Sequence, residues 1–554
     1  MAFARKTAIL LAASAALFCT ATRADPVPQA PRLVVAIAVD QFSADLFAQY
    51  RARYTGGLAR LAGGAVFPQG YQSHAATETC PGHSTILTGM RPAHTGIVAN
   101  TWFDLGAARA NKRIYCAEDE TKAAEPGDYV ASVDHLLVPT LGERIKAKWP
   151  TSRNVAVSGK DRAALMMGGH KTDAVYWWKG KGFVTLDGRT PERAVVEENA
   201  ELAGLSANGV PGYALPADCA AMDRPVSAGA ATVGTGRLAV AAGIDEKGLD
   251  KRFRGTPRID RAVLDLATRL VDADKLGRGP TPDMLAISLS ATDYIGHAYG
   301  TQGAEMCIQM HELDKALGDF LAALDARGLD YAVVLTADHG GIDLPERLRE
   351  QGLPYAARAD RALMPVAVSE RVAAKLGIAA KDLFAGEDPA GDWYVRRDLT
   401  PAQKAAAIAA AQADLLAQPQ VAAVFTASEL AATPLPDGPP ADWTLLQRVR
   451  ASFYAPRSGD MVVVLRRAVV PVPLPATPAA YVTSHGSAWD YDRRVPILFW
   501  RKGIAPFEQP HGVETVDIAP SLAALIGLDV PKGTFDGRCL DLDAGPGSTC
   551  GGAN

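Results

Sequence analysis

Three segments share one design, and it constrains the fold more than any other feature of the chain. Leu33-Val34-Val35-Ala36-Ile37-Ala38-Val39 runs straight into Asp40, Met284–Leu289 leads to Asp293, and Tyr331–Leu335 leads to Asp338-His339. A short unbroken apolar run reads as a strand covered on both faces, and such strands belong to largely parallel sheets. Val495–Trp500 is a fourth run of this kind. Between them, Met306, Met310, Leu313, Leu317, Phe320 and Leu324 recur at steps of three and four, the apolar stripe of one helix, and Arg327-Gly328 ends it. The expected fold is α/β, a central largely parallel sheet with helices on both faces. In open sheets of this class ligands gather beyond the carboxyl ends of the strands, which is where the three carboxylates stand.

At 554 residues the chain exceeds the ~250–300 at which a single core stops growing. The pattern predicts one catalytic domain over 25–554 with insertions at about 110–255 and 342–480. The first mixes short strand-like pieces with Gly and Pro turns. The second holds an alanine-rich helix, Ala405 to Gln418, stopped by Pro419, and a proline-rich loop at Thr433–Pro440. Val516-Asp517-Ile518-Ala519-Pro520 then opens a closing helix through Leu525.

Residues 1–24 read as a secretory signal peptide. Arg5 and Lys6 precede an apolar run from Thr7 to Cys19, and Thr22 and Ala24 supply small residues at −3 and −1 of a cut. The run is too short to span a bilayer, and no later segment is long and apolar enough, so no membrane anchor is expected and the location is periplasmic or secreted. Cleavage would remove Arg5, Lys6 and Arg23, leaving 54 basic against 61 acidic residues and moving the net charge from −4 to −7. That balance gives no nucleic-acid-binding surface. Six cysteines remain, Cys80, Cys116, Cys219, Cys307, Cys539 and Cys550. An even number in an oxidising compartment suggests disulfides, and of the 15 possible pairings the sequence chooses none; nearest neighbours would give Cys80–Cys116, Cys219–Cys307 and Cys539–Cys550.

Histidines join the carboxylates. Asp293 and His297 lie four apart and share a face on one helical turn, Asp338 and His339 are adjacent, and His485 sits in Thr483-Ser484-His485-Gly486. With Asp40 these make three carboxylates and three imidazoles, a mixture that suits zinc and suffices for two metals with open positions. One such residue alone is usually a surface residue; their recurrence at strand ends reverses that reading. In Glu78-Thr79-Cys80-Pro81-Gly82-His83 a hydroxyl stands two before a proline at a helix start, a natural anion site. A threonine hydroxyl is a weak nucleophile until a metal or base activates it.

Asp40, Thr79-Cys80-Pro81-Gly82-His83, Asp293-x-x-x-His297, Thr336-Ala337-Asp338-His339-Gly340 and Ser484-His485-Gly486 together resemble the alkaline phosphatase superfamily, in the order that superfamily uses. The resemblance implies two Zn2+ per chain, one held by Asp293, His297 and His485, the other by Asp40, Asp338 and His339. It further implies Thr79 as nucleophile and ligand of the second metal, forming a phosphothreonine intermediate. Sulfatases of this superfamily need a modified Cys or Ser where Thr79 stands, which disfavours that activity. The cofactor-independent phosphoglycerate mutases use serine and are cytoplasmic, which the signal peptide disfavours.

Lys160 and Arg162, spaced by two after the strand-like Val155–Ser158, would share a face in an extended segment and approach one phosphate, the guanidinium bidentately. The pair resembles the phosphate-binding Lys and Arg of the threonine-nucleophile, single-chain alkaline phosphatases, a branch related to type I phosphodiesterases and nucleotide pyrophosphatases, and Asn100 matches that branch's third phosphate donor. The expectation is an exported zinc-dependent alkaline phosphatase acting on small-molecule phosphate monoesters, monomeric, with room for additional Ca2+ or Mg2+. The alternative is a phosphodiesterase or nucleotide pyrophosphatase with the same dizinc site. Cys80, beside the nucleophile, would brace that helix if bonded to Cys116.

Overall fold

A computed structural model of the chain describes residues 30–122, 129–545 and 547–551. The expected signal peptide, residues 1–24, lies outside the described residues. The molecule is built on a ten-stranded sheet. Its parallel block runs Tyr331–Thr336, Leu33–Val39, Asp283–Leu289, Asn154–Ser158 and Ala174–Lys179 in spatial order. Arg494–Arg501 is antiparallel to Tyr331–Thr336 and carries Ala65–Tyr71 antiparallel on its far side. The sheet is therefore largely parallel with helices around it, as the apolar runs predict.

Leu33–Val39 shows why those runs lack alternation. Leu33, Val35, Ile37 and Val39 enter one core with the helices Pro257–Ala273 and Ala304–Ala326, while Val34, Ala36 and Ala38 enter another with Ile86, Leu87 and Ala164–Met167. Every residue of the strand is buried, because both faces are covered.

Register brings the chemistry to one edge. Val39 pairs with Leu289, Ala38 with Thr336, and Ser288 with Ser158. Asp40, Asp293, Asp338 and Lys160 thus leave the carboxyl ends of four adjacent strands at one level. Within 342–480, a four-stranded sheet of Phe384–Ala385, Gly391–Val395, Met461–Leu465 and Val421–Thr426 has its own core around Trp393. Its alanine-rich helix is Pro401–Leu416, starting earlier than composition suggests. Thr400 and Gln403 form a reciprocal capping box, and Pro401 takes the first turn.

Three disulfides join Cys80 to Cys116, Cys219 to Cys307 and Cys539 to Cys550. Among the described residues, no helix is long and apolar enough to cross a membrane.

Candidate active site

Thr79 is the first residue of the helix Thr79–Thr88, with Glu78 rather than a hydroxyl residue at the N-cap. Its side chain is therefore free of capping duty, and the groups that approach it are cations. Lys160 Nζ lies 3.5 Å and Arg162 Nη2 3.3 Å from Thr79 Oγ1. The segment carrying them is not extended throughout, as the spacing suggests. Lys160 is extended and caps the helix Asp161–Gly168, so Arg162 is already helical. The two still converge because one side chain leaves the strand end and the other the first helical turn.

Asn100 reaches the same helix start, its Oδ1 accepting from Cys80 N at 2.8 Å. Glu78 Oε2 accepts from Asn100 N at 2.8 Å. With its oxygen committed to the backbone, Asn100 keeps its amide N–H groups for a ligand. Asn100 opens the hairpin of Thr101–Phe103 and Arg113–Tyr115, whose next residue is Cys116, disulfide-bonded to Cys80. Tyr115 donates to Asp161 Oδ1 at 2.9 Å and also hydrogen-bonds Arg162. One hairpin thus ties together Asn100, the Thr79 helix and the Arg162 guanidinium.

The six candidate ligands come together beside this group. Asp40, Asp338 and His339 place ligand atoms within 4.8 Å of one another, and so do Asp293, His339 and His485. His297 Nε2 and His485 Nε2 converge on Asp293 Oδ1 at 3.3 and 3.4 Å. His339 stands between the two groups and reaches both. Each imidazole bonds a backbone carbonyl through Nδ1: His297 to Thr483 O at 3.0 Å, His339 to Gly340 O and His485 to Thr77 O, both at 2.8 Å. A carbonyl only accepts, so Nδ1 carries the proton and each Nε2 presents its lone pair inward, the tautomer a metal requires.

The electrostatics agree with that chemistry. Burial lowers the pKa of His339 to about 3 and also lowers that of His485, keeping both neutral as ligation demands. Burial and the Asp338 charge raise Asp40. Burial also opposes ionisation of Asp293 and Asp338, but Lys160 at the first, and the His83 hydrogen bond together with the Lys160 charge at the second, hold both below the usual carboxylate range. Lys160 Nζ sits 2.6 Å from Asp40 Oδ2 and 2.5 Å from Asp293 Oδ2. Asp40 Oδ1 and His339 Nε2 are buried, 3.5 Å apart and without a hydrogen-bond partner. Buried polar atoms left this way, in a set of carboxylates and oriented imidazoles, fit a site built for divalent cations.

Sequence spacing alone misses three residues of the surroundings. Glu78 holds Asn100. Gln41 contacts both ligand groups, through Asp338 Oδ1 and Asp293 Oδ1. His83 Nδ1 lies 2.9 Å from Thr79 O and 3.1 Å from Asp338 Oδ2, with Nε2 2.9 Å from Ser288 Oγ. Only His83 carried a signal, lying one helical turn beyond Thr79. Outside the helix start, a cavity of about 310 Å³ is lined by Asn100, Phe103, His297, Tyr394 and His485, the aromatic Tyr394 coming from the inserted sheet.

The model of the type I phosphodiesterase / nucleotide pyrophosphatase family matches residues 34–487. The chain is 54% identical over 525 residues to the alkaline phosphatase PhoK of Sphingomonas sp, covering 94% of this chain and 93% of that one. It is 49% identical over 524 residues to the alkaline phosphatase PhoD of Zymomonas mobilis, covering 94% and 89%. The crystal structure of the alkaline phosphatase PafA superposes with a TM-score of 0.79 at 25% identity, covering 93% of this chain and 99% of that one.

Proposed function

The chain belongs to the type I phosphodiesterase / nucleotide pyrophosphatase family, and from that premise we propose that it is an exported, zinc-dependent alkaline phosphatase that hydrolyses phosphate monoesters through Thr79. The observation that carries the choice of monoester is the pair of cations on the nucleophile, Lys160 Nζ and Arg162 Nη2 within 3.5 Å of Thr79 Oγ1. A monoester brings a dianion with three non-bridging oxygens; a diester brings a single charge and a second organic arm. Two cations and an uncharged amide around one point match the first.

Asp293, His297 and His485 would hold one zinc, and Asp40, Asp338 and His339 the other, with Thr79 at the second. Such ions, when bound, neutralise charge on the entering and leaving oxygens of an in-line displacement. Thr79 gives up its hydroxyl proton to solvent, its Oγ attacks phosphorus, the bond to the leaving alcohol oxygen breaks, and that oxygen takes up a proton from solvent. Arg162 and Asn100 bind the equatorial oxygens throughout, and Lys160 lowers the cost of an ionised Thr79. In the second half water attacks the phosphothreonine, releasing phosphate and restoring the hydroxyl. The protein's share of the rate is positioning and preorganised charge.

Export is supported by the leader-like residues 1–24 and by three disulfides. Initial rates on p-nitrophenyl phosphate and bis-p-nitrophenyl phosphate, with zinc and after chelation, test the whole reading. A large monoester preference that chelation abolishes and zinc restores is expected. Faster diester hydrolysis would favour the phosphodiesterase alternative, and no zinc-dependent turnover of either ester would refute both.

A further inference from the structure

Gln41 follows Asp40 with a backbone φ of 66°, the left-handed region that a non-glycine residue occupies only under constraint. Glycine would meet the turn without strain, so the side chain must account for the residue's presence. Buried to 1% exposure, it spans the two ligand groups. Its main-chain N–H donates to Asp338 Oδ1 at 3.1 Å, and Nε2–H donates to Asp293 Oδ1 at 3.2 Å, the oxygen on which His297 and His485 converge.

The surroundings are shaped to this amide. A Cβ added at Gly296, between Asp293 and His297 on their helix, would lie 1.7 Å from Gln41 Oε1. One added at Gly341, two residues after His339, would lie 2.9 Å from Gln41 Cγ and Cδ. Two ligand-bearing segments therefore carry glycine where Gln41 passes. The chemistry of the group is equally specific. A carboxylate here would add a further buried negative charge beside Asp293, and a cation would compete for the oxygen on which the two imidazoles converge. A neutral amide fixes the rotation of Asp293 without doing either.

We propose that Gln41 is a positioning residue that locks the ligand carboxylates of the two metal sites into one register, so that Asp293 and Asp338 are preset at the spacing two zinc ions require. The inference rests on the dizinc reading above. It accounts together for the strained turn, the paired hydrogen bonds and the two glycines.

The test is zinc affinity of the full-length protein, measured by competition with a chromophoric chelator. Gln41→Gly keeps the left-handed turn and deletes the amide. Gln41→Asn tolerates the same φ and is one methylene too short to reach Asp293. Gly296→Ala drives a methyl group into Oε1 from the opposite side. Loss of a supporting contact of this kind costs ~10–100-fold in metal affinity, and we expect that loss in all three variants while each retains the wild-type circular dichroism. Wild-type zinc affinity in either folded Gln41 variant would overturn the proposal, since a turn-forming role alone leaves metal binding unmoved. Absence of zinc uptake by the wild-type protein would instead overturn the dizinc reading and this inference with it.

Discussion

Arg162 is the cleanest probe of substrate charge. Lys160 also neutralises Asp40 and Asp293, so its removal would disturb the ligands as well as the substrate. Arg162 touches neither carboxylate; its guanidinium lies 3.3 Å from Thr79 Oγ1, with Tyr115 close by. A planar fork at this point can give two charge-assisted hydrogen bonds to a dianionic phosphoryl group, each worth about 1.5–3 kcal/mol. Their loss in Arg162→Ala, about 3–6 kcal/mol in total, lowers kcat/KM for p-nitrophenyl phosphate by ~10²–10⁴-fold, at ~1.4 kcal/mol per decade. A diester has one charge and one fewer non-bridging oxygen. The corresponding loss for bis-p-nitrophenyl phosphate is one contact, about 1.5–3 kcal/mol or ~10–10²-fold. Steady-state kinetics on both esters, on protein with unchanged zinc content, gives the ratio directly. Arg162→Lys should not restore it, because an ammonium cannot reproduce the bidentate fork. Equal losses on the two esters would refute the argument and leave Arg162 as a general support of the site.

Thr79→Ala removes the acceptor of the phosphoryl group and should cut kcat by on the order of 10⁴–10⁶, while Asp40, Asp338 and His339 still suffice to retain the second zinc, checked by elemental analysis; residual turnover near wild type would exclude a covalent intermediate on Thr79. Chelation removes the charges that offset three buried carboxylates, so zinc at ~1,000 times its Kd should stabilise the fold by about 4 kcal/mol, seen as a rise in Tm by calorimetry. Burial raises Glu78 from 4.5 to about 7, so the folded state holds a proton that the unfolded chain releases near pH 4.5. Its contribution is fullest below pH 4.5 and is lost as pH rises through 7. Glu78→Gln keeps an acceptor for Asn100 N and has no proton to lose, so its Tm should fall less than the wild type's between pH 5 and 8; parallel Tm profiles would contradict this.

The fold was legible because its strongest signal is local. The residues of Leu33–Val39 are buried on both faces, and the other buried strands extend their apolar runs by only a polar residue at one or both ends: Asp283, Thr336, Arg494 and Arg501. Helix starts were harder where capping outweighs composition. Thr400, Pro401 and Gln403 begin a helix four residues before its alanine run, and Asp161 begins one inside what spacing reads as an extended Lys160–Arg162. The candidate carboxylates stand out in sequence because each lies within four residues of the end of an apolar strand. Their supports do not. Gln41 finds its partners 252 and 297 residues away, and Glu78 works through a backbone N–H, which no side-chain pattern announces.

That division separates two parts of the site. The candidate metal ligands Asp40, Asp293 and Asp338 follow three neighbouring parallel strands, whose register brings them to one level and whose shift would cost core packing on both faces. The groups that would read the substrate are mounted otherwise. Asn100 and Tyr115 sit at the open end of a short hairpin, Thr101 pairing with Tyr115 and Cys116 N donating to Asn100 O at 2.9 Å. The disulfide from Cys116 to Cys80 then ties the hairpin to the residue after Thr79. Changing the hairpin should therefore alter which phosphate ester is accepted while leaving the ligand geometry intact. A Cys80→Ser/Cys116→Ser double variant makes the point measurable: KM for a monoester should rise, the monoester-to-diester ratio should fall, and zinc affinity should hold. If zinc affinity fell first, hairpin and ligands would form one unit and the division would fail.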